Sequence, residues 1–450
     1  MSDRVNYSLP SGFNIEFLPG EKRLEQKVII TLQTIFEKYG FTPIETPAVE
    51  RLEVLQAKGN QGDNILYSIA PLTKETDHEI EESRALKFDQ TVPLAAYIAR
   101  HLHEITFPFA RYQMDMVFRG ERAKTGRYRQ FRQCDIDVVG RKELSLLYDA
   151  QIPAIINEIF TELDIGKFVI RINNRKILTG FFRGLGISPD QIKECIKVVD
   201  TLEKVGTDSV KRQLYNLGVN DPKQVINFIS TQGDTKTVFS QLVSLSTDDT
   251  FQLGIKELET VTKAVGDLGV PNSNYTIDLS IARGLDYYTG TVYETTLVGY
   301  ESLGSICSGG RYEDLVGMFA GEKLPGVGIS IGLTRLLKKL LEIGKLQPLS
   351  PSPAQVMILN LQSDLMPIYL ELAQKLRSQG IKVLTNFEAR PFKKQLEYAN
   401  KLQIPYCIII GSNEKEQGIC RLKNMQTGAQ NDIPLPDVLQ LADMIKHSCN

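Results

Sequence analysis

The sequence predicts a mixed α/β (α+β) protein in which an antiparallel sheet is interrupted by a helical insertion and followed by a separate C-terminal α/β domain. Three observations predict it. "ARYQMDMVFRG" and "RYRQFRQCDIDVVG" read as two strands joined by a polar loop from Gly120 to Gly126. That link has no room for a crossover helix, so the pair must be antiparallel rather than part of a doubly wound sheet. From 173 to 271 the texture changes to short capped helices. Beyond the proline-rich "LQPLSPSPA", short apolar strands alternate with helices, as in a compact α/β domain.

Taken in order, "PGEKRLEQKVIITLQTIFEKYGF" predicts a helix closed by Gly40, with Leu24, Val28, Ile29, Leu32 and Phe36 on one face. "TPIETPAVE" is extended and broken by Pro43 and Pro47, and "LKFDQTVPLAAYIARHL" is a short strand turning into a helix at Pro93. Within the insertion, Ser188 and Gln191 form a capping-box pattern ahead of Ile192, Cys195, Ile196, Val199 and Leu202, and Asp221–Pro222 starts another helix. Nothing in the insertion carries evident chemistry. The boundaries expected are 1–172 and 272–345 for the two parts of the core, 173–271 for the insertion, 346–353 for a linker and 354–450 for the last domain. In that domain "AQVMILNL", "IKVLTNF" and "YCIIIG" are the strands, with helices over 363–379 and 391–402.

The 450 residues fit two to four domains at roughly 150 each. No apolar run approaches the ~18 residues of a membrane-spanning helix, and the N-terminus lacks the apolar core of a secretory signal. Six scattered cysteines without a C-x-x-C pair argue against structural zinc or a disulfide framework and for a reducing cytoplasm. Only four histidines occur, and the "HLHE" at 101–104 reads as a polar helix end. No G-x-G-x-x-G follows a strand, and no Walker glycine loop exists.

The net charge of −2 is close to neutral, yet Arg119, Arg122, Lys124, Arg127, Arg129 and Arg132 face a single acid, Glu121, in one short stretch. Such a one-sign cluster is either a solvated basic face or an anion site. Strand alternation divides it. Arg127, Arg129, Phe131, Gln133, Asp135 and Asp137 share one face, and Arg132, Cys134, Ile136 and Val138 share the other. The first face runs from cations through a ring and an amide to two carboxylates. From Phe131 to Asp137 is about 20 Å, room for an elongated ligand with a phosphate, a flat ring and a hydrogen-bonding end. Arg119, ending the opposing strand, can point into the same groove and grip a phosphate bidentately. A hairpin with its charges in solvent accounts for this stretch equally well.

The chain as a whole resembles the histidyl-tRNA synthetases, a class II aminoacyl-tRNA synthetase family. The resemblance is carried in order by "FTPIETPAVE", "LKFDQTVP", "FRGERAKTGRYRQFRQCDID", "ARGLDYYTG", "GGRYEDL" and "GVGISIGLTRL", with "RGLDYYTG" and "GRYRQF" the most specific. It implies a six-stranded antiparallel sheet, an inserted helical domain, a C-terminal anticodon-binding domain and a homodimer. It also implies the reaction: L-histidine is activated with ATP, accompanied by Mg²⁺, and passed to the 3′ end of tRNA(His). Arg119 would hold the α-phosphate, Glu121 would sit at the adenine end, Arg127 would reach the terminal phosphates, Phe131 would stack on adenine and Arg335 would take the γ-phosphate. Arg283 would lie near the α-phosphate and the substrate carboxylate. Asp89 and Thr91, facing one way on an extended segment, would bind the α-amino group with Gln133. Asp137 and Tyr288 would bracket the imidazole, with Tyr287 adjacent.

Arg311 in "GGRYEDL" is a site residue or an ion-pair partner with equal weight, and Pro47 fits a dimer-interface motif or a plain connector. Thr334 stands where the family carries an acid, and Gln90 where an apolar residue is usual. The rival reading is the non-catalytic, histidine-sensing regulatory subunit of ATP phosphoribosyltransferase, which lacks the anticodon-binding domain and loses ATP-site arginines. In the last domain Lys393, Lys394, Arg421 and Lys423 are candidates for tRNA phosphates.

Overall fold

The structure is a computed structural model that describes residues 6–57, 66–70, 83–120, 128–231, 235–282, 288–314 and 317–447. The chain divides into two compact units, Met1–Ile15 with Val28–Leu346, and Glu16–Lys27 with Gln347–Asn450.

The first unit is organised on an eight-stranded sheet. Its middle six strands, in spatial order Phe109–Phe118, Gln130–Val139, Gly326–Ile331, Cys307–Tyr312, Tyr288–Leu297 and Phe168–Asn174, are antiparallel throughout. The expected hairpin is present, ten residues a side, with Phe109 opposite Val139 and Phe118 opposite Gln130. Short parallel strands, Thr42–Pro43 and Tyr275–Ile277, add one edge each, so the six-stranded expectation holds for the antiparallel part. Within this unit the helix Pro19–Lys38 buries Val28, Leu32, Ile35 and Phe36, and Gly40 at φ +81° turns the chain out of it. Helix Leu147–Glu162 buries Ile152, Ile155, Ile156, Ile159 and Phe160. At about 1.5–3 kcal/mol for each fully buried large apolar side chain, such faces are what holds helix to sheet.

Helices follow one another from Arg175–Gly184 to Asp249–Asp267. Asp221 caps Pro222–Ile229, accepting from the Lys223 N–H at 3.0 Å. Ser188 sits at the N-cap of Pro189–Asp200, but its hydroxyl donates to the Gln191 side chain at 2.8 Å and bonds no helix N–H, so the capping box is not formed.

In the second unit the strand order is Val383–Thr385, Val356–Ile358, Tyr406–Ile409, Ile419–Asn424, Gln430–Pro434, with the first three parallel and the last two an antiparallel extension. Helices Met366–Ser378 and Val438–His447 cover one apolar cluster, while Ala399 of helix Phe392–Lys401 belongs to another.

Candidate functional site

Alternation on strand Gln130–Val139 builds one wall of a cavity of about 640 Å³: Phe131, Gln133, Asp135 and Asp137 line it. Cys134, Ile136 and Val138 are buried on the reverse side. Across the hairpin the register sets Arg111 opposite Asp137, Gln113 opposite Asp135 and Asp115 opposite Gln133. The neighbouring strands approach closely enough to demand glycine. A Cβ on Gly328 would lie 2.3 Å from Asp137 Oδ1, and one on Gly309 would lie 2.0 Å from the Gly328 carbonyl oxygen. That is the physical content of the "SGG" and "GVG" motifs.

Asp89, Thr91, Gln133, Asp137 and Tyr288 all line this cavity. The segment carrying Asp89 and Thr91 is not extended as expected. Thr91 begins the helix Thr91–Arg100, and Asp89 Oδ1 accepts from the Val92 N–H at 3.1 Å, a capping bond that turns the chain. Gln90 faces away, fully buried, and donates from Nε2 to the carbonyls of Asp115 at 3.2 Å and Gln133 at 3.0 Å. The Gln133 amide spans two partners, with Nε2 donating to Ser330 Oγ at 2.7 Å and Oε1 accepting from Arg119 Nη2 at 3.5 Å. Asp137 accepts from Arg111 Nη2 and, at 3.1 Å, from the Tyr312 hydroxyl. Asp135 is missing from the expected ligand set, yet it lines the same wall, and burial pushes its carboxyl up to about 7.

At the Phe131 end, Arg119 lies over the ring with its guanidinium carbon 5.1 Å from the centroid, and its Nε donates to the Phe88 carbonyl at 3.0 Å. A flat cation held over an aromatic face is suited to an aromatic base with phosphates attached. Helix Leu333–Glu342 is fixed beside this end because the Thr334 hydroxyl accepts from the Arg132 N–H at 2.9 Å. Thr334 therefore ties helix to strand where an acid was expected. Arg335, one residue on, lines the cavity and donates to the Leu303 carbonyl at 2.7 Å. Glu121, Arg122, Lys124, Arg127, Arg283 and Tyr287 lie outside the described residues.

Sequence reasoning missed several lining residues. The helical insertion contributes Asp200 and Lys204, and Tyr128, Ser305, Cys307 and Lys339 also face the cavity. The insertion therefore does carry chemistry-bearing side chains, which no local pattern marks. Arg132 donates from Nη1 to the Met114 carbonyl at 2.9 Å, inside the hairpin. Arg129 donates from Nη1 to the Ser11 carbonyl at 3.3 Å. Arg311 is a buried ion-pair partner of Asp149, contacted at 2.7 Å. Among the described residues no group of three or more His, Cys, Asp or Glu could hold a metal ion. In the second unit, Arg421 bonds Asp432 at 2.7 Å and Lys394 bonds Glu397 at 2.8 Å.

Comparison with known proteins adds independent findings. The family described as "Histidyl-tRNA synthetase" matches residues 14–336, and that described as "Anticodon binding domain" matches 355–443. The histidine–tRNA ligase of Nostoc sp. (strain PCC 7120 / SAG 25.82 / UTEX 2576) is 59% identical over 99% of this chain and 98% of its own. The crystal structure of histidyl-tRNA synthetase from Nostoc sp. PCC 7120 is similar with a TM-score of 0.91 and 57% identity, covering 99% of this chain and 100% of that one. A Bacillus halodurans structure described as an ATP phosphoribosyltransferase regulatory subunit/histidyl-tRNA synthetase shares the fold, at a TM-score of 0.74 and 17% identity over 88% of this chain and 97% of that one.

Proposed function

The chain belongs to the histidyl-tRNA synthetase family, and from that premise we propose that it activates L-histidine with ATP and transfers the histidyl group to the 3′ end of tRNA(His). The observation that carries the reading is the single polar strand face in one cavity, with Arg119 over Phe131 at one end and Asp137 at the other. In the first step a carboxylate oxygen of histidine attacks the α-phosphorus, and pyrophosphate leaves with the electron pair of the broken P–O bond. In the second, the terminal ribose hydroxyl attacks the activated carbonyl and AMP leaves.

Positioning and charge neutralisation, more than a protein base, govern the phosphoryl step. Arg119 and Arg283 supply it at the α-phosphate, with Arg127 and Arg335 at the terminal phosphates, Glu121 at the adenine end and Phe131 stacked on the base. Asp89, Thr91 and Gln133 take the α-amino group, Arg283 the carboxylate, and Asp137, Tyr287 and Tyr288 the ring end. Mg²⁺ enters as part of the substrate Mg–ATP. The described cavity residues supply no carboxylate cluster for a resident ion.

Residues 354–450 are the anticodon-binding domain in this reading, and Lys393 and Lys423 remain candidates for tRNA phosphates. A homodimer follows from the family resemblance. A cytoplasmic setting is supported by the free, buried cysteines Cys134, Cys195, Cys307, Cys407 and Cys420. No helix among the described residues is long and apolar enough to cross a membrane. The regulatory-subunit reading is disfavoured by the presence of the second unit and by the retention of Arg119, Arg127, Arg283 and Arg335.

Histidine-dependent ATP–pyrophosphate exchange by the purified protein is the test, and exchange that ignores histidine would remove the synthetase reading. Arg283→Ala should abolish exchange, at ~3–4 kcal/mol of lost barrier lowering, and leave the melting temperature unchanged. Near-normal exchange in that variant would remove Arg283 from the site.

A further inference from the structure

The helical insertion reaches the cavity, and nothing in the scheme above uses it there. Its contribution is a pair of charged residues four apart, Asp200 and Lys204, both of which line the cavity. Helix Pro189–Asp200 buries Ile192, Cys195, Ile196 and Val199, so its own apolar face fixes its rotation. The chain continues without a loop into one further turn, Leu202–Val205, where the Thr201 carbonyl accepts from the N–H groups of Lys204 at 2.8 Å and Val205 at 3.0 Å. Gly206, at φ +77°, ends that turn. Asp200 and Lys204 therefore lie one above the other on one side of it. Local forces do not account for both. A lysine suits a helix C-terminus, whereas an aspartate there opposes the helix dipole.

Among the described residues the cations lining the cavity are Arg119, Lys204, Arg335 and Lys339. Arg335 and Lys339 are four apart on helix Leu333–Glu342 and share its cavity face. The Leu303 carbonyl holds Arg335 at 2.7 Å, and Lys339 bonds Glu342 at 2.7 Å. The acids are gathered elsewhere. Asp89 and Asp137 both act on Asp135, and Arg111 serves that cluster from the neighbouring strand. Asp200 is the one described lining acid outside it. Lys204 and Arg335 are exposed, so their charged ends are open to a ligand arriving from solvent. A cleft with an excess of one sign draws in the opposite charge.

We propose that Lys204 is an ATP-binding residue supplied by the insertion: its ammonium bonds the β- and γ-phosphates together with Arg335 and holds pyrophosphate as it leaves. The inference rests on the reading of this cavity as the site of histidine activation. A triphosphate spreads its charge along its length, and an ammonium on a flexible stem is a compact counter-charge that can follow the terminal group. The bonds made and broken in activation are unchanged. The lysine neutralises charge on the leaving group and moves no proton. In this arrangement bound ATP bridges the insertion and the sheet.

Histidine-dependent ATP–pyrophosphate exchange by the full chain, with each substrate varied in turn, tests the assignment. Lys204→Ala should raise the KM for ATP and for pyrophosphate about five- to tenfold, an exposed contact being partly screened. The KM for histidine, and that for tRNA in aminoacylation, should stay unchanged. Lys204→Arg should recover most of the loss because it restores the charge. Added salt should narrow the gap between the wild type and Lys204→Ala. Direct titration separates the terminal phosphates from the rest of the nucleotide. Lys204→Ala should weaken binding of ATP and of pyrophosphate and leave AMP binding as it was. Unchanged constants for ATP and pyrophosphate overturn the inference. A rise in the tRNA KM alone also overturns it and assigns Lys204 to the nucleic acid instead. Equal weakening of ATP and AMP does the same, since the lysine then acts through the shape of the site. A wild-type chain without histidine-dependent exchange removes the synthetase reading, an outcome distinct from all of these.

Discussion

Arg311 with Asp149 and Arg111 with Asp137 are both buried arginine–aspartate pairs anchored on the same sheet, and the way their valences are filled differs. Asp149, on helix Leu147–Glu162 and 0% exposed, accepts from Arg311 Nε at 3.0 Å on each oxygen, from Nη2 at 2.7 Å and from the Thr291 hydroxyl at 2.7 Å. Arg311 Nη2 also donates to the Ser145 carbonyl at 2.9 Å. At the other pair, Arg111 meets Asp137 through Nη2, and among the described residues nothing accepts from its Nε or Nη1. The first pair is closed within the fold and away from the cavity lining. The second keeps unmet donors at ~1–3 kcal/mol each while Asp137 faces the cavity. A buried ion pair is weak evidence of stabilisation by itself. Its completeness is the better guide to use, and it separates Arg311 from Asp137, which sequence alone could not.

The largest expected effect follows from opening the closed pair. Asp149→Ala leaves the Arg311 guanidinium buried without its carboxylate and should cost ~3–5 kcal/mol, read as a lowered denaturant midpoint. Replacing both residues with apolar side chains of similar volume should restore most of that loss. Stability unmoved by Asp149→Ala would break the comparison at its structural end. Asp137→Asn is the counterpart at the cavity. It keeps the shape, so the midpoint should move less than for Asp149→Ala. The apparent KM for histidine in the exchange assay should rise about 10- to 100-fold, the weight of one hydrogen bond to a charged group. An unchanged KM would remove Asp137 from the proposed pocket.

The floor of the cavity was legible because strand alternation is a local rule: Phe131, Gln133, Asp135 and Asp137 had to share a face wherever the strand went. The antiparallel hairpin was legible for a similar reason, since its loop is too short for anything else. Asp89 and Thr91 were found through motif resemblance, but the extended geometry was wrong, because the Asp89 carboxylate caps the helix that starts at Thr91. The rest depended on contacts between distant residues. Arg311 finds Asp149 across 162 positions, and Asp200 and Lys204 reach the cavity only through the packing of an insertion whose periodicity reports its own core. Asp135 was visible on the face, but its raised proton affinity is a property of burial that no sequence pattern records.

The smallest predicted effect concerns Ser330, and its sign makes it the most discriminating. Ser330 is the middle of a chain in which Gln133 donates to its oxygen and its own hydroxyl bonds Asp135. That second bond favours the ionised carboxylate and so holds the Asp135 proton affinity down. Ser330→Ala removes it, and Asp135 should keep its proton to higher pH than the wild-type value of about 7. The Asp135 carboxyl, followed by carbon-13 NMR, should therefore titrate at higher pH in the variant, with little change in histidine affinity. At neutral pH only a few-fold weakening is expected, from the amide of Gln133 losing an acceptor. A carboxyl that instead titrated at lower pH would mean that Ser330 does not hold Asp135 toward its ionised form.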